Sequence, residues 1–340
     1  MNYFKKNIGW IIPLLAAFIS IILFSIYLFT AKVDVLQDKT YIYIYPNSNK
    51  EQVMQAIKSQ DIIFNTFAFK AYSFVLKYEK VHSGRYEIKK GMTVGKMVNM
   101  LAKGHQTPMR LVIGKSRTKE ELAEKLDKEL AFTKPELLSK LNDNAFLKQY
   151  DLDSLSSITL FIPNTYEVYW DTKVEDFIKR MYNEQRVFWN KRKQRLDSIG
   201  YTKLEVMTIA SIVEEETNQN AEKPIIAGVY INRLKKNMPL QADPTIKYAL
   251  SDFTIKRITG RMLGVESPFN TYRNIGLPPN PICIPSIASI DAVLNYQKHD
   301  YLFFCAKEDF SGNHNFTSSL NEHYENARKY QKALNEREIY

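Results

Sequence analysis

The chain is poor in the residues from which metal centres and disulfide scaffolds are built. Among its 340 residues there are two cysteines, Cys283 and Cys305. Neither a disulfide framework nor a four-thiolate zinc site can be made from them, and at most one disulfide can form. His314 and His323 stand too far apart for the one-turn pair of a zinc helix. No Gly-x-Ser-x-Gly elbow, His-Glu-x-x-His helix or Gly-x-x-x-x-Gly-Lys loop occurs, which leaves serine hydrolysis, zinc proteolysis and P-loop phosphoryl transfer without support. Internal repeats and low-complexity segments are missing too. No feature calls for a metal or an organic cofactor.

What is present is a basic, folded composition. The formal net charge of +10 favours anionic surroundings, whether nucleic acid, phospholipid or acidic polysaccharide. Charge does not choose among them, and the lysines are spread along the chain as on a solvated basic surface. From Asn7 to Ala31 no residue is charged. As a helix that stretch is about 37 Å long, against a hydrocarbon core of about 30 Å. Trp10 and Tyr27 sit near its ends, Lys5 and Lys6 precede it, and no Ala-x-Ala-like cleavage site follows Phe29. This pattern predicts a single-pass anchor over residues 7–31, with a cytoplasmic stub at 1–6 and the rest of the chain outside.

Beyond the anchor, Tyr41–Tyr45 reads as a strand stopped by Pro46, and a helical pattern then runs on through Ala71–Tyr78. Gly84–Ile88 and Met109–Ile113 read as strands around a helix over Thr93–Ala102, capped by Thr93 and closed by Gly104. Residues 40–115 thus form a strand, helix, strand module. Thr118 with Glu121 predicts a capping box, and Pro135 opens another helix in its first turn. Residues 116–200 read as a helical connecting segment, broken at Phe161–Tyr166 by Pro163. The unusual residues lie in 201–340.

There, Leu204–Thr217 has helical periodicity, with an apolar face centred on Val206, Ala210 and Val213. Glu215 points away from that face and reads as a solvated charge. Glu214 and Glu216 fall on its two shoulders, where apolar neighbours raise a carboxyl pKa toward the range of a proton donor. Periodicity does not choose between them.

Four motifs follow one another in this region: Ala210-Ser211-Ile212-Val213-Glu214-x-Glu216-Thr217, Leu240-Gln241-Ala242-Asp243-Pro244-Thr245, Ser267-Pro268-Phe269-Asn270-Thr271-Tyr272 with Gly276-Leu277-Pro278-Pro279, and Gly312-x-His314-x-Phe316. Together they resemble the YceG-like family of endolytic murein transglycosylases. Ser83-Gly84-Arg85-Tyr86 and Met92-Thr93-Val94 resemble that family's LysM-like module, and Phe161-x-Pro163-x-Thr165-Tyr166 also matches. One departure is Asn164, where the family usually carries aspartate.

The resemblance implies that Glu216 is the catalytic residue, since it occupies the second acidic position of Glu-x-Glu-Thr. It implies cleavage within peptidoglycan strands between N-acetylmuramic acid and N-acetylglucosamine, leaving 1,6-anhydro ends, at the bacterial inner membrane and with the catalytic domain in the periplasm. Peptidoglycan synthases (penicillin-binding proteins) are the implied partners, not nucleic acid. Glu214, Gln241, Asp243, Asn270, Tyr272 and His314 carry the polar groups suited to binding sugars. The expected fold is α+β: one transmembrane helix, a LysM-like βαβ module and a mixed catalytic domain over 201–340. A non-catalytic peptidoglycan scaffold and a water-using muramidase are the alternatives.

Overall fold

The computed structural model describes residues 2–337, with side chains from Ile12 onward. The expected placements of Lys5, Lys6 and Trp10 lie outside those described side chains. The chain forms two compact units, one running up to Arg110 and including Glu167–Thr172, the other made of Leu111–Tyr166 and the chain from Lys173 on.

The first unit begins with α1 (Asn2–Thr30), in which Ile12–Thr30 is long and apolar enough to cross a membrane. It continues through β1 (Lys39–Ile44), α2 (Lys50–Lys58), α3 (Thr66–Val75), β2 (Gly84–Lys89) and α4 (Val94–Lys103). The strand and helix expected over Gly84–Ile88 and Thr93–Ala102 are present, but the expected βαβ module requires correction. Asn49 and Asn65 each cap a helix, so two helices lie between the first two strands. A pair of helices returns the chain in the opposite direction, and β1 and β2 pair antiparallel, from Lys39 opposite Lys89 to Ile44 opposite Gly84. Alternation along β1 sends Ile42 and Ile44 into a core with Ile57, Phe69, Tyr86, Ile88, Met97 and Leu101. Tyr43 and Tyr45 instead meet the edge of Trp170 at ring separations of 5.1 and 4.8 Å.

β3 (Met109–Ile113) leads into the second unit and is followed by α5 (Lys119–Asp127), α6 (Lys134–Leu141), α7 (Asn144–Leu147) and β4 (Asn164–Val168). β3 pairs with β4, not with β2. Thr118 caps α5, but only half of the expected box forms: the Glu121 carboxylate accepts from the Arg117 amide at 2.8 Å instead of from Thr118. Then come α8 (Val174–Asn190), α9 (Lys193–Ile199), α10 (Lys203–Glu216), α11 (Lys223–Lys235), α12 (Asp243–Ala249), α13 (Ile287–Leu294), the antiparallel pair β5 (Phe303–Ala306) and β6 (His314–Thr317), and α14 (Leu320–Glu336).

The axis of this unit is α10. Its start is fixed by a complete box between Thr202 and Glu205. Every residue from Val206 to Val213 is buried, because α11, α12 and α13 all pack on it. The helix is therefore enclosed on all sides, not amphipathic as its apolar stripe suggests. Its polar side chains bond inside the protein: Thr208 Oγ1 donates to the Leu204 carbonyl, and Ser211 Oγ donates to Thr208 and accepts from the Ile282 amide. α11 carries the next part of the site, and at Gly228 it approaches another segment closely. A Cβ there would stand 2.5 Å from the Gln297 carbonyl oxygen and 2.6 Å from His299 Nε2. Gly228→Ala is expected to destabilise the protein by about 1–3 kcal/mol through overpacking, while Gly264→Ala, in open space, is expected to be near neutral. Chemical denaturation of the purified variants reads both.

Candidate active site

The three glutamates that end α10 leave in three directions, and each meets a different environment. Glu214 Oε2 accepts from Ser286 Oγ and Ser289 Oγ, each at 2.5 Å, and from the buried Lys223 ammonium at 3.1 Å. Burial disfavours its charge, but the two hydroxyls and the ammonium outweigh burial and hold its pKa below the usual carboxylate value. Glu215 is not a solvated charge. Its side chain is 14% exposed, bridged by Lys115 at 2.8 Å and gripped through both oxygens by Arg117. The turn before α5 covers the side of α10 that periodicity leaves open, and burial of Glu215 is again outweighed by these cations.

Among the described residues Glu216 has no cation within ion-pair distance. It sits on the floor of a cleft of about 430 Å³ whose wall includes Tyr230, Arg233, Gln241, Asp243, Tyr272 and His314. Its Oε1 accepts from the Tyr230 hydroxyl at 2.5 Å. Burial pushes its pKa up to about 7; the Tyr230 hydrogen bond works against this, and the nearby Asp243 charge works with it. Among the described residues no donor reaches Oε2, so that oxygen is placed to carry an exchangeable proton into the cleft.

The other walls are held from behind. Gln241 has a positive φ of 53°, a backbone state that a non-glycine residue keeps only when its surroundings enforce it. Its amide donates to the Thr271 carbonyl, the Ala242 amide donates to Thr271 Oγ1, and Thr271 Oγ1 also meets Thr245 Oγ1 at 2.9 Å. Two motifs distant in sequence are thereby bolted together. From below, the buried Arg233 guanidinium donates to the carbonyls of Pro239, Leu240 and Leu302 and to Gln241 Oε1. Tyr272 donates its hydroxyl to Asp243 Oδ1. His314 offers both its amide and Nδ1 to Glu222, at 2.9 and 2.8 Å, which leaves Nε2 as the unused ring nitrogen.

Two of the residues expected to bind sugar are elsewhere. Glu214 does not line the cleft, and its Oε2 holds α11 and α13 to α10. Asn270 is fully buried: its amide donates to the Leu263 and Val265 carbonyls, and its oxygen accepts from the Tyr272 and Arg273 amides. It shapes the loop that presents Tyr272. Cys283 is buried and Cys305 lines the cleft, and both thiols are free. Tyr230, Arg233 and Glu222 are the site residues that sequence reasoning missed. An arginine inside the apolar run Ile225–Leu234 was the one available signal, because a buried guanidinium requires acceptors.

A family model described as the YceG-like family matches residues 42–329 of the chain, which takes in most of each unit, without α1, and every residue of this cleft named above. The chain belongs to the YceG-like family. An endolytic murein transglycosylase from Bacillus subtilis is 30% identical over 315 residues, covering 87% of this chain and 86% of that protein. One from Streptococcus pneumoniae is 27% identical and covers 76% of this chain, which spans only 52% of that longer protein. The crystal structure of a YceG-like protein from Listeria monocytogenes superposes with a TM-score of 0.57 at 28% identity, over 85% of this chain and 99% of that one. The YceG-like fold thus extends over most of the chain.

Glu216 and Glu214 predict opposite stability effects. A folded-state pKa near 7, above the unfolded value, means Glu216 contributes most below the unfolded pKa and loses its contribution as pH rises from about 4.5 to 7. Because the cleft admits water, the loss is about 2 kcal/mol. Glu216→Gln is therefore expected to flatten this part of the pH–stability curve and to exceed the unmodified protein in stability at pH 8. Glu214→Ala leaves Lys223 buried and unpaired and is expected to cost about 3–5 kcal/mol at neutral pH. Urea titrations across pH separate the two.

Proposed function

We propose that this chain is an endolytic peptidoglycan transglycosylase in which Glu216 is the sole acid and base. The observation that carries this reading is the Glu216 carboxyl in an open, polar cleft, with Oε1 held by the Tyr230 hydroxyl and burial favouring its protonated form. It begins the reaction protonated. Oε2 gives its proton to the glycosidic oxygen as the bond from the muramic anomeric carbon breaks, releasing the N-acetylglucosamine hydroxyl. The carboxylate then takes the proton of the muramic 6-hydroxyl as that oxygen closes on the anomeric carbon, giving the 1,6-anhydro end and restoring the acid. No water enters, and a nucleophile already tethered to the reacting ring has a high effective molarity. Tyr230 holds Oε1, so the working oxygen is Oε2. Gln241, Asp243, Tyr272 and His314 are assigned to binding the glycan.

The relatives named endolytic murein transglycosylase support the substrate class. The apolar Ile12–Thr30 helix supports anchoring to the cytoplasmic membrane, with a cytoplasmic N-terminus and the cleft on the outer side, facing the wall and its synthases. Residues 40–115 are assigned as a LysM-like glycan-binding module, 116–200 as a helical connecting segment and 201–340 as the catalytic domain; the motif resemblance at Ser83–Tyr86, where β2 begins, and at Met92–Val94, where α4 begins, supports the module. A hydrolytic reading has one observation in its favour: Asp243 lies close enough for its charge to raise the Glu216 pKa, and a second carboxylate could activate water.

Mass spectrometry of digested sacculi distinguishes these readings. Anhydro-muropeptides are expected from the unmodified chain and none from Glu216→Gln; reducing ends would identify a hydrolase, and binding without products a scaffold. The rate is expected to fall tenfold per pH unit above about 7, where Glu216 loses the proton it must donate.

A further inference from the structure

The helix that precedes β2 carries an apolar face that the protein does not cover. In α3, Ala68, Phe69 and Tyr72 turn inward, while Phe67 and Phe74 on the opposite face are 57 and 86% exposed, and Val75, the last residue of the helix, is 68% exposed. Nearby in sequence, Ile63 is 71% exposed. Four lysines, Lys50, Lys58, Lys70 and Lys77, against two glutamates, Glu51 and Glu79, line a groove between α2 and α3 whose apolar part includes Met54, Phe69, Phe74 and Val75.

The position of this face is set by α1. No linker separates the apolar helix from the module: α1 ends at Thr30, and already the Val33 amide donates to Met92 and the Asp34 amide to Ile63. Further contacts reach down into α1 itself. The Phe67 ring lies 5.6 Å from that of Phe24, Tyr72 meets Phe29 edge-on at 5.5 Å, and Asn65 Nδ2 donates to the Tyr27 hydroxyl. Phe24 is about 9 Å below the end of α1 at the rise of an α-helix, well inside the Ile12–Thr30 span. Phe67 therefore shares the depth of a residue in the spanning segment.

We propose that α3 enters the membrane surface beside α1, with Phe67 immersed in the lipid leaflet from which α1 emerges, Phe74 and Val75 at its interface level with the end of α1, and Lys58, Lys70 and Lys77 facing the phospholipid phosphates. A helix with one aromatic face rimmed by lysines is suited to that boundary. The module is then seated in the membrane surface, not swung from it. This proposal rests on the reading of α1 as a membrane span.

The test uses the full chain, with Cys283→Ala and Cys305→Ser, reconstituted in phosphatidylethanolamine and phosphatidylglycerol vesicles. Single cysteines are introduced by Phe74→Cys, by Ile22→Cys in the span, and by Lys103→Cys at the far end of the helix that starts beside Ala31, and each is labelled with a fluorophore. Phe74 and Lys103 are exposed, so these replacements leave the fold intact. Quenching by phosphatidylcholine carrying a nitroxide high on its acyl chain is expected to be severalfold stronger at 74 than at 103, and Lys70→Glu with Lys77→Glu is expected to reduce it. Strong quenching at 22 by a nitroxide deep in the acyl chain, with 74 open to an aqueous quencher, would overturn the proposal and leave the span standing. Protection of 74 from both quenchers would assign the face to a protein partner instead and equally overturn it. Failure of quenching at 22 would remove the span, and the proposal with it.

Discussion

The structure of the second unit depends on how a buried helix ends in three consecutive carboxyl groups. The carboxyl end of a helix already carries partial negative charge from its unpaired carbonyls, and Glu214, Glu215 and Glu216 add to it where α10 is enclosed by other helices. Two of the three charges are neutralised by partners brought from elsewhere in the chain. Ser286, Ser289 and Lys223 answer Glu214 and so hold α13 and α11 to α10, while Lys115 and Arg117 answer Glu215 and hold down the turn before α5. Glu216 is left to burial and one tyrosine hydroxyl, and it responds by holding its proton.

Arg233 and Thr271 provide the complementary support. Between them they hold the backbone around Gln241 in a left-handed conformation and fix the entry to α12, where Asp243 begins the helix. The cleft walls thus derive their shape from side chains that themselves point into the protein. This explains why two short motifs separated in sequence act as one loop pair, and why Asn270, fully buried, belongs to the framework behind Tyr272.

Local chemistry made much of the fold legible. The strand over Met109–Ile113, the caps at Thr93 and Thr118, the left-handed Gly104 and the extent of α10 all follow from neighbouring residues, and the helix breaker at Pro163 leads into β4. What could not be read involves partners far away in sequence. The antiparallel return of β2 depended on the helix cap at Asn65, and the burial of Glu215 depended on Arg117, 98 residues earlier. In the site, periodicity narrowed three glutamates to two, and the motif resemblance chose between those. Tyr230 and Glu222 gave no local signal, since a tyrosine or glutamate in a helix is ordinary until its partner is known.

The most direct test of this account is the titration of the Glu216 carboxyl itself, read as the protonated carbonyl stretch in infrared difference spectra of the unmodified chain against Glu216→Gln. The account predicts a band that persists through pH 6 and disappears with a midpoint of about 7. A midpoint near the ordinary glutamate value of about 4.3 would show that burial does not hold the proton, and would contradict the assignment of Glu216 as the acid.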